Sequence, residues 1–355
     1  MKFKLKIFKD KKIIPIDQFI YKSLYDDQYG FYMKKNPFGS KGDFITSPGI
    51  SILFSEMIAI WCIAFWKKLG KPKKINILEM GPGDGNLSLD LFNTFKNFKE
   101  FQSSYRMILY EKSKYLINIQ KKKLNSSNVK WINNLNQIDN SPTIIIANEF
   151  FDALPIKQYI FKKDKWHERY VKLLESKEIV ICDKLTKLPD FKKICNVNIQ
   201  KNQKFIEFSK YAYSYLKKIS NIIKKNNGGL LCFDYGYKNK KMFNSLQSVK
   251  SHSFSSILLN PGKNDITYLL NFSILSKILK KLNLNVANIN TQGNFLKKMG
   301  IIERANILAS NNTFNYKANI FYRVKKLIHP KEMGNLFKVL FVQKKGLSFK
   351  LGFEK

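Results

Sequence analysis

Apolar residues along the chain form short continuous runs, separated by longer stretches in which apolar positions recur every three or four residues. The runs predict buried strands and the periodic stretches predict helices. Predicted strands span residues 75–79, 106–111, 129–132, 142–147, 230–237, 284–289 and 337–342, with a hairpin over 158–181. Predicted helices span residues 14–34, 50–66, 114–124, 202–225, 268–281 and 294–337. This alternation predicts an α/β fold, a parallel sheet with helices on both faces.

A glycine-rich turn follows the first buried strand, which ends in the acid Glu79. The glycines of this turn are Gly81, Gly83 and Gly85. Glycine permits a tight turn and leaves no Cβ between the backbone and a ligand. The dinucleotide fingerprint G-x-G-x-x-G is absent, because its last glycine position holds Asn86. A G-x-G-x-G turn after an acidic strand end is typical of enzymes that use S-adenosylmethionine (SAM), although a glycine-rich turn without a ligand stays open as an alternative.

Polar side chains also end the other predicted strands. Glu111 closes the next strand, where a second acid would bind the ribose hydroxyls of the cofactor. Asn148, Glu149 and Asp234 end two further strands. Ligands of parallel α/β sheets bind at the carboxyl ends of the strands, so these side chains are expected to share one edge. We therefore predict that Glu79, the three glycines, Glu111 and Asn148 bind SAM.

The formal net charge of +37 is extreme, and a basic chain often binds nucleic acid. Only four of the 63 basic residues are arginine, the residue that makes the commonest specific base contact. The lysines are also scattered along the chain, which favours a solvated surface. No nucleic-acid partner is expected; the alternative, an RNA-binding enzyme, would show salt-sensitive binding.

Cysteine and histidine usage gives no sign of a metal site or a disulfide framework. No C-x-x-C pair is present and the three histidines are isolated. The basic N-terminus lacks the apolar core of a signal peptide. The longest apolar run, 50–66, is short for a membrane span and contains Glu56, so a buried helix is expected. These features predict no bound metal, no membrane span and a cytoplasmic bacterial protein.

Seven short motifs are spread over nearly the whole chain. They occupy residues 37–48, 79–85, 147–156, 234–237, 265–267, 291–296 and 333–338. The most specific are Gly-Asp-Phe-Ile-Thr-Ser-Pro at 42–48 and Asn-Glu-Phe-Phe-Asp-Ala-Leu-Pro at 148–155. Together they resemble the MidA family of SAM-dependent methyltransferases, which includes a mitochondrial complex I assembly factor that methylates an arginine of a complex I core subunit.

The resemblance implies a class I, Rossmann-like sheet and methyl transfer from SAM, with S-adenosylhomocysteine as product. The acceptor it implies is a protein arginine, with a complex I core subunit as partner and complex I assembly as the role. Carboxylates bind a guanidinium bidentately and fix its plane. Glu149 and Asp152, with Asn148, are therefore the predicted catalytic residues. The predicted substrate-binding residues are Asp43, Thr46, Ser47, Phe150, Phe151 and Tyr235.

The chain departs from the family pattern at two places. Gly49 stands where the family usually has glutamate. Residues 268–272 read Tyr-Leu-Leu-Asn-Phe where the family commonly has Ala-His-Val-Asp-Phe, so Leu269 and Asn271 replace a histidine and an aspartate. If either place touches the substrate, activity or substrate choice would differ.

Four segments are expected along the chain: an N-terminal helical segment over 1–71, the first part of a SAM-binding core over 72–157, a hairpin and helical insertion over 158–227, and the remaining core with a C-terminal cap over 228–355. A methyltransferase acting on another protein or a small molecule stays open. So does a non-catalytic assembly chaperone that binds SAM or nothing. A homodimer is an alternative to a monomer.

Overall fold

The computed structural model describes residues 6–9, 11–34, 37, 46–238, 241–250 and 253–354. The strands are β1 Ile13–Pro15, β2 Ile75–Met80, β3 Tyr105–Tyr110, β4 Val129–Ile132, β5 Thr143–Asn148, β6 Lys157–Lys162, β7 Lys165–Leu173, β8 Ile179–Leu185, β9 Phe205–Phe208, β10 Gly228–Tyr237, β11 Gln247–Lys250, β12 Ser253–Ser255, β13 Asp265–Thr267, β14 Leu270–Asn271, β15 Leu284–Val286, β16 Asn290–Thr291 and β17 Phe337–Lys344. The helices are α1 Ile16–Tyr25, α2 Phe31–Lys34, α3 Ser47–Ile50, α4 Ile52–Lys68, α5 Asn86–Phe95, α6 Lys99–Gln102, α7 Lys114–Lys123, α8 Phe191–Cys195, α9 Lys210–Asn226, α10 Phe272–Lys281, α11 Gln292–Lys298, α12 Ile301–Ala309, α13 Phe314–Ile328 and α14 Met333–Leu336.

The central sheet has the strand order β15-β17-β10-β5-β2-β3-β4, with β14 and β16 paired at its margin. Strands β4, β3, β2, β5 and β10 run parallel, and β17 is antiparallel to both of its neighbours. The strand order reverses between β2 and β5. In an open α/β sheet a ligand binds outside the carboxyl ends of the strands at such a reversal. The predicted α/β fold class is confirmed, and the topology locates its binding crevice after β2 and β5.

Burial on both faces explains why the central strands are continuous apolar runs. Alternate residues of a strand point to opposite faces. In β2, Ile77 packs in one apolar core and Leu78 in another, on the other side of the sheet. Helix α4 belongs to the first of these cores, and the Ser51 hydroxyl caps its start by accepting a hydrogen bond from the Leu53 backbone N–H. The run 50–66 is thus a buried helix, as expected, and no helix within the described ranges is both long enough and apolar enough to cross a membrane.

A second sheet, β1-β7-β6-β9 with β8 on β7, is built mainly from the insertion between β5 and β10. The predicted hairpin over 158–181 is confirmed, with its turn at Lys163 and Asp164. Two helix predictions were wrong in part. Residues 205–208 form β9 because they pair with β6, and residues 13–15 form β1 because they pair with β7. Strand β1 therefore interrupts the N-terminal segment, which is helical at residues 6–8 and again from α1.

The predicted C-terminal helices are also shorter than expected. The stretch 294–337 is divided into α11, α12, α13 and α14, because Gly300 adopts a left-handed conformation and Thr313 caps a new helix with its hydroxyl. The stretch 268–281 is helical only from residue 272, because β14 pairs with β10 first.

Gly228 should tolerate no side chain, because it starts β10 where that strand meets β5. It has a φ of +121°, and an added Cβ would lie 2.0 Å from the Thr143 carbonyl oxygen. We expect Gly228→Ala to lower the free energy of unfolding by about 3 kcal/mol, measured by urea denaturation. Gly346→Ala is the matched control, because Gly346 has a φ of +96° with no atom within 4 Å of the added Cβ. An equal loss in both variants would mean that backbone strain, and not the contact with β5, determines the effect.

Candidate active site

A cavity of about 500 Å³ opens at the carboxyl ends of the central strands. The loops after β2, β3 and β5 form its floor, and α1, α9 and β13 cover it. The floor residues include Gly81, Gly83, Glu111, Glu149, Phe150 and Asp152, and the covering residues include Tyr21, Tyr25, Tyr32, Tyr211, Tyr215, Asp265 and Thr267. The cavity therefore has a glycine-lined end and an end lined by acids and tyrosines.

The glycine-lined end has the features expected of a cofactor site. Gly81 has a φ of +65°, and a Cβ there would lie 2.9 Å from a ring carbon of Phe150, so the loop approaches that ring without a side chain between them. Gly83 has a φ of +57° and also lines the cavity. Glu111 faces the same space, and its Oε1 accepts hydrogen bonds of 2.7 and 2.8 Å from the backbone N–H groups of Lys112 and Ser113. Those bonds hold the carboxylate in place for a hydroxyl-bearing ligand.

Three of the predicted cofactor residues do not line the cavity. Glu79 is buried behind the glycine turn, where its carboxylate accepts a hydrogen bond from the Ser88 hydroxyl. Burial raises the pKa of Glu79 to about 7. Gly85 occupies the N-cap of α5, with Gln120 beside it. The Asn148 amide donates to Glu149 Oε1 at 3.3 Å. These residues shape the loops that carry the cavity wall.

Glu149 is the residue with the least usual backbone at the acidic end. Its φ of +51° lies in the left-handed region, which costs a residue with a side chain about 1–3 kcal/mol. The loop overcomes this strain because the Glu149 N–H donates to the Phe233 carbonyl at 2.9 Å, and the side chain accepts a hydrogen bond from the Ser47 backbone N–H. A strained residue held in this way is a feature of functional sites.

Asp234 fixes the loop that presents Asp152. Its Oδ2 accepts from the backbone N–H groups of Phe151 and Asp152 at 3.0 and 3.3 Å, and its Oδ1 accepts from Tyr235 at 2.9 Å. Asp152 is buried at the cavity wall, and its Oδ1 has no hydrogen-bond partner. The Tyr32 hydroxyl, which also lines the cavity, donates to Asp265 Oδ1 at 2.7 Å. A buried carboxylate oxygen without a protein donor can accept a hydrogen bond from a ligand.

Burial and mutual repulsion raise the pKa values of these acids. Burial raises the pKa of Glu149 to about 7, and Asp265 adds to the effect. Burial, followed by the neighbouring carboxylates, raises the pKa of Asp152 and of Asp234 well above their usual range. A cation bound among these acids would favour their charged forms. The acidic end is therefore suited to a cationic group that also donates hydrogen bonds.

The Glu149 carboxyl should make the stability of the unliganded protein fall with pH. Its pKa is about 7 in the folded chain and 4.5 without the fold, so between these values the folded state binds more protons than the unfolded state. The stabilisation is complete below the lower value and is lost as pH rises through the upper one. We expect the free energy of unfolding to fall by about 3 kcal/mol more in the wild type than in Glu149→Gln between pH 4 and pH 8 in urea titrations. Parallel curves for the two proteins would contradict this.

The predicted substrate residues divide into three groups. Thr46, Phe150 and Tyr235 line the cavity. Ser47 and Phe151 are buried; Ser47 contacts Glu149, and Phe151 packs in an apolar core outside the lining. Asp43 lies outside the described residues. Tyr25, Tyr32 and Asp265 also line the cavity, and none of them was predicted from the sequence to be a site residue. The motif at 265–267 was the available signal for Asp265, and no local pattern marks the tyrosines.

The two departures from the family pattern have different surroundings. Leu269 lines the cavity, so an apolar group stands there where a histidine is usual. Asn271 caps α10 by accepting a hydrogen bond from the Ile274 N–H at 3.1 Å, a role that aspartate and asparagine fill equally well. Gly49 is exposed in α3 and is absent from the lining. Of these positions, only Leu269 touches the site.

His167 and His329 lie apart from this site. His167 and His329 are in β7 and after α13, and His252 is outside the described residues. Among the residues with a described position, no group of three or more His, Cys, Asp or Glu side chains is arranged to hold a metal ion.

Comparison with known proteins finds SAM-dependent methyltransferases. A family model described as S-adenosyl-L-methionine-dependent methyltransferase matches residues 57–290. The chain is 27% identical, over 93% of its length and 83% of the relative's, to the mitochondrial protein arginine methyltransferase NDUFAF7 of Danio rerio, and 26% identical, over 91% and 78%, to that of Homo sapiens. A crystal structure from Burkholderia thailandensis, bound to S-adenosyl-homocysteine, has the same fold, with a TM-score of 0.83 at 20% identity over 99% of this chain and 92% of that one.

The family match covers most of the chain, including the glycine turn, the octet at 148–155 and the motif at 265–267. The glycine-lined end of the cavity fits a SAM molecule, because both of its glycines have backbones that a side chain would strain and neither places a Cβ in the space. The chain therefore belongs to the MidA family of SAM-dependent methyltransferases.

Proposed function

We propose that this enzyme transfers a methyl group from SAM to the guanidinium of an arginine in a protein acceptor. The observation that carries the proposal is the buried, unpartnered Oδ1 of Asp152 in a cavity wall that also holds Glu149 and Asp265. A guanidinium is planar and cationic, and its N–H groups match carboxylate oxygens in pairs. The names of the relatives as protein arginine methyltransferases support the same acceptor.

The chemistry requires alignment of the acceptor nitrogen with the methyl group. SAM supplies an activated methyl group on a sulfonium, so the bond from sulfur to methyl breaks as the bond from nitrogen to methyl forms. Glu149 and Asp152 orient the guanidinium, and one of the carboxylates accepts the proton that the nitrogen loses. Asn148 orients Glu149 through its amide. Correct placement of this kind can lower a barrier by about 7–11 kcal/mol.

The tyrosines at this end complete the acceptor site. Burial, followed by nearby carboxylates, raises the pKa values of Tyr25 and Tyr32 well above their usual range, so both hydroxyls stay protonated as donors. Tyr25 donates to the Ala153 carbonyl at 3.1 Å, and its ring lies against that of Tyr32 with centroids 5.7 Å apart. The rings offer flat apolar faces to a guanidinium plane, which cation–π contact favours.

The acceptor we propose is a core subunit of respiratory complex I, methylated in the cytoplasm of a bacterium during assembly of the complex. This part of the proposal follows the family resemblance and the NDUFAF7 relatives.

The test is transfer of labelled methyl from SAM into a lysate of cells that lack this protein. We expect one labelled protein band, with methylarginine after hydrolysis and mass spectrometry of the labelled peptide. Label on lysine or glutamine would contradict the arginine acceptor. Label in a small molecule alone would indicate a different acceptor class. SAM binding without any label would indicate the assembly chaperone.

A further inference from the structure

Exposed aromatic and aliphatic side chains are concentrated on the hairpin formed by α12 and α13. Among the residues whose burial is described, Phe314 is 83% exposed and Tyr322 is 58% exposed, and Ile307 and Phe321 are also exposed. We call these four residues the hairpin patch. Phe314 and Phe321 are seven positions apart and share one side of α13, and Tyr322 lies on the adjoining side, outside the buried Val324 and Leu327. An exposed apolar group of this kind marks a binding surface.

The charge around the hairpin patch is of one sign. Helix α13 contains no acidic residue. Lys317 and Lys325 each lie one turn from Phe321, and the Lys326 ammonium sits 4.8 Å from the centre of the Tyr322 ring. A partner that covers this patch needs apolar side chains within an acidic surface. A second copy of the chain fits poorly, because each copy carries a net charge of +37.

Two segments link helix α13 with the cavity. Helix α14 packs against α13, and its Leu336 lines the cavity while staying 45% exposed. The Arg323 guanidinium donates to the Ile50 carbonyl at 3.1 Å, at the end of α3. That helix begins at Ser47, whose N–H contacts Glu149. Helix α13 therefore packs against two segments that reach the rim of the cavity.

We propose that the hairpin patch is the docking surface for an acidic, apolar segment of the acceptor protein. This inference rests on the proposed function. A protein that places an arginine in the cavity must cover the surface around it, and a stable protein interface buries about 800 Å² on each partner. The hairpin patch supplies the aromatic anchors that concentrate binding energy in such interfaces, and its lysines select the partner by charge.

The test compares initial rates of methylation in the lysate of cells that lack this protein, at several lysate dilutions. We expect Phe314→Ser/Tyr322→Ser to raise the apparent KM for the protein acceptor about tenfold, with the KM for SAM and the limiting rate unchanged. Lys325→Glu should raise it as well and make it less sensitive to salt. Leu185→Ser is the matched control, because Leu185 is 64% exposed on the second sheet, in β8.

Several outcomes would overturn the docking surface. If the wild type is active and the double variant has an unchanged KM for the acceptor, the hairpin patch is not the docking surface. The proposed function would be unaffected. A patch-dependent sedimentation with vesicles of anionic phospholipid, at unchanged acceptor KM, would assign the patch to a lipid surface. Self-association of the wild type that the double variant lacks would assign it to a second copy. No labelling by the wild type would remove the proposed function and the docking surface together.

Discussion

Asp152→Asn should reduce methyl transfer at least about a hundredfold while SAM affinity stays within a few-fold of the wild type. The substitution keeps the shape of the side chain, so the loop held by Asp234 is preserved. It removes the negative charge and turns one oxygen acceptor into a donor that faces the N–H groups of a guanidinium. The measurement is the rate of label transfer into the acceptor band, together with SAM affinity by calorimetry.

The control for this substitution is Glu100→Gln, which neutralises an exposed acid paired with Lys71 on the surface. It should leave the rate unchanged. Full activity in Asp152→Asn would remove Asp152 from the reaction, and it would leave Glu149 and Asp265 as the acids that bind the acceptor.

Gly83→Val should abolish SAM binding, with an affinity loss of at least about a hundredfold and a matching loss of transfer. The backbone at Gly83 has a φ of +57°, and the residue lines the cofactor end of the cavity. A valine would strain the turn and place its methyl groups in the space of the ligand. Calorimetric titration with SAM is the measurement.

Gly70→Val is the control for Gly83→Val. It separates the effect of backbone strain from the effect of a blocked cofactor pocket. Gly70 has a φ of +84° in a surface turn with no atom within 4 Å of an added Cβ, so a valine there is strained but meets no ligand. The control variant should bind SAM normally at a slightly lower melting temperature. Equal losses of SAM affinity in the two variants would show that general destabilisation, and not a blocked pocket, is the cause.

The site residues at the strand ends could be predicted from the sequence because the pattern that marks them is local. A buried run followed by glycines or an acid identified the positions of Gly81, Gly83, Glu111, Glu149 and Asp152, all of which line the cavity. Whether an acid at a strand end lines the cavity or is buried behind its wall could not be predicted in the same way. Glu79 shares the pattern of Glu111, but its carboxylate turns towards Ser88 at the start of α5.

The covering residues had no comparable local signal. Tyr25 and Tyr32 lie in the N-terminal segment, and Asp265 follows more than 200 residues later. The packing of α1 against the loop after β5 and against β13 brings these residues together. Tertiary pairing also explains why residues 205–208 form β9. Their periodicity is helical, but they pair with β6 before the helix α9 begins.

The position of β17 has a consequence for how the chain folds. This strand is the last along the chain, yet it lies between β10 and β15, and β10 in turn pairs with β5 across the whole insertion. During synthesis the edge of β10 stays open until residues 337–344 leave the ribosome, and an open strand edge can pair with another chain. Contacts of such long sequence separation also slow folding. The protein should therefore need protection from aggregation in the interval between synthesis of β10 and synthesis of β17.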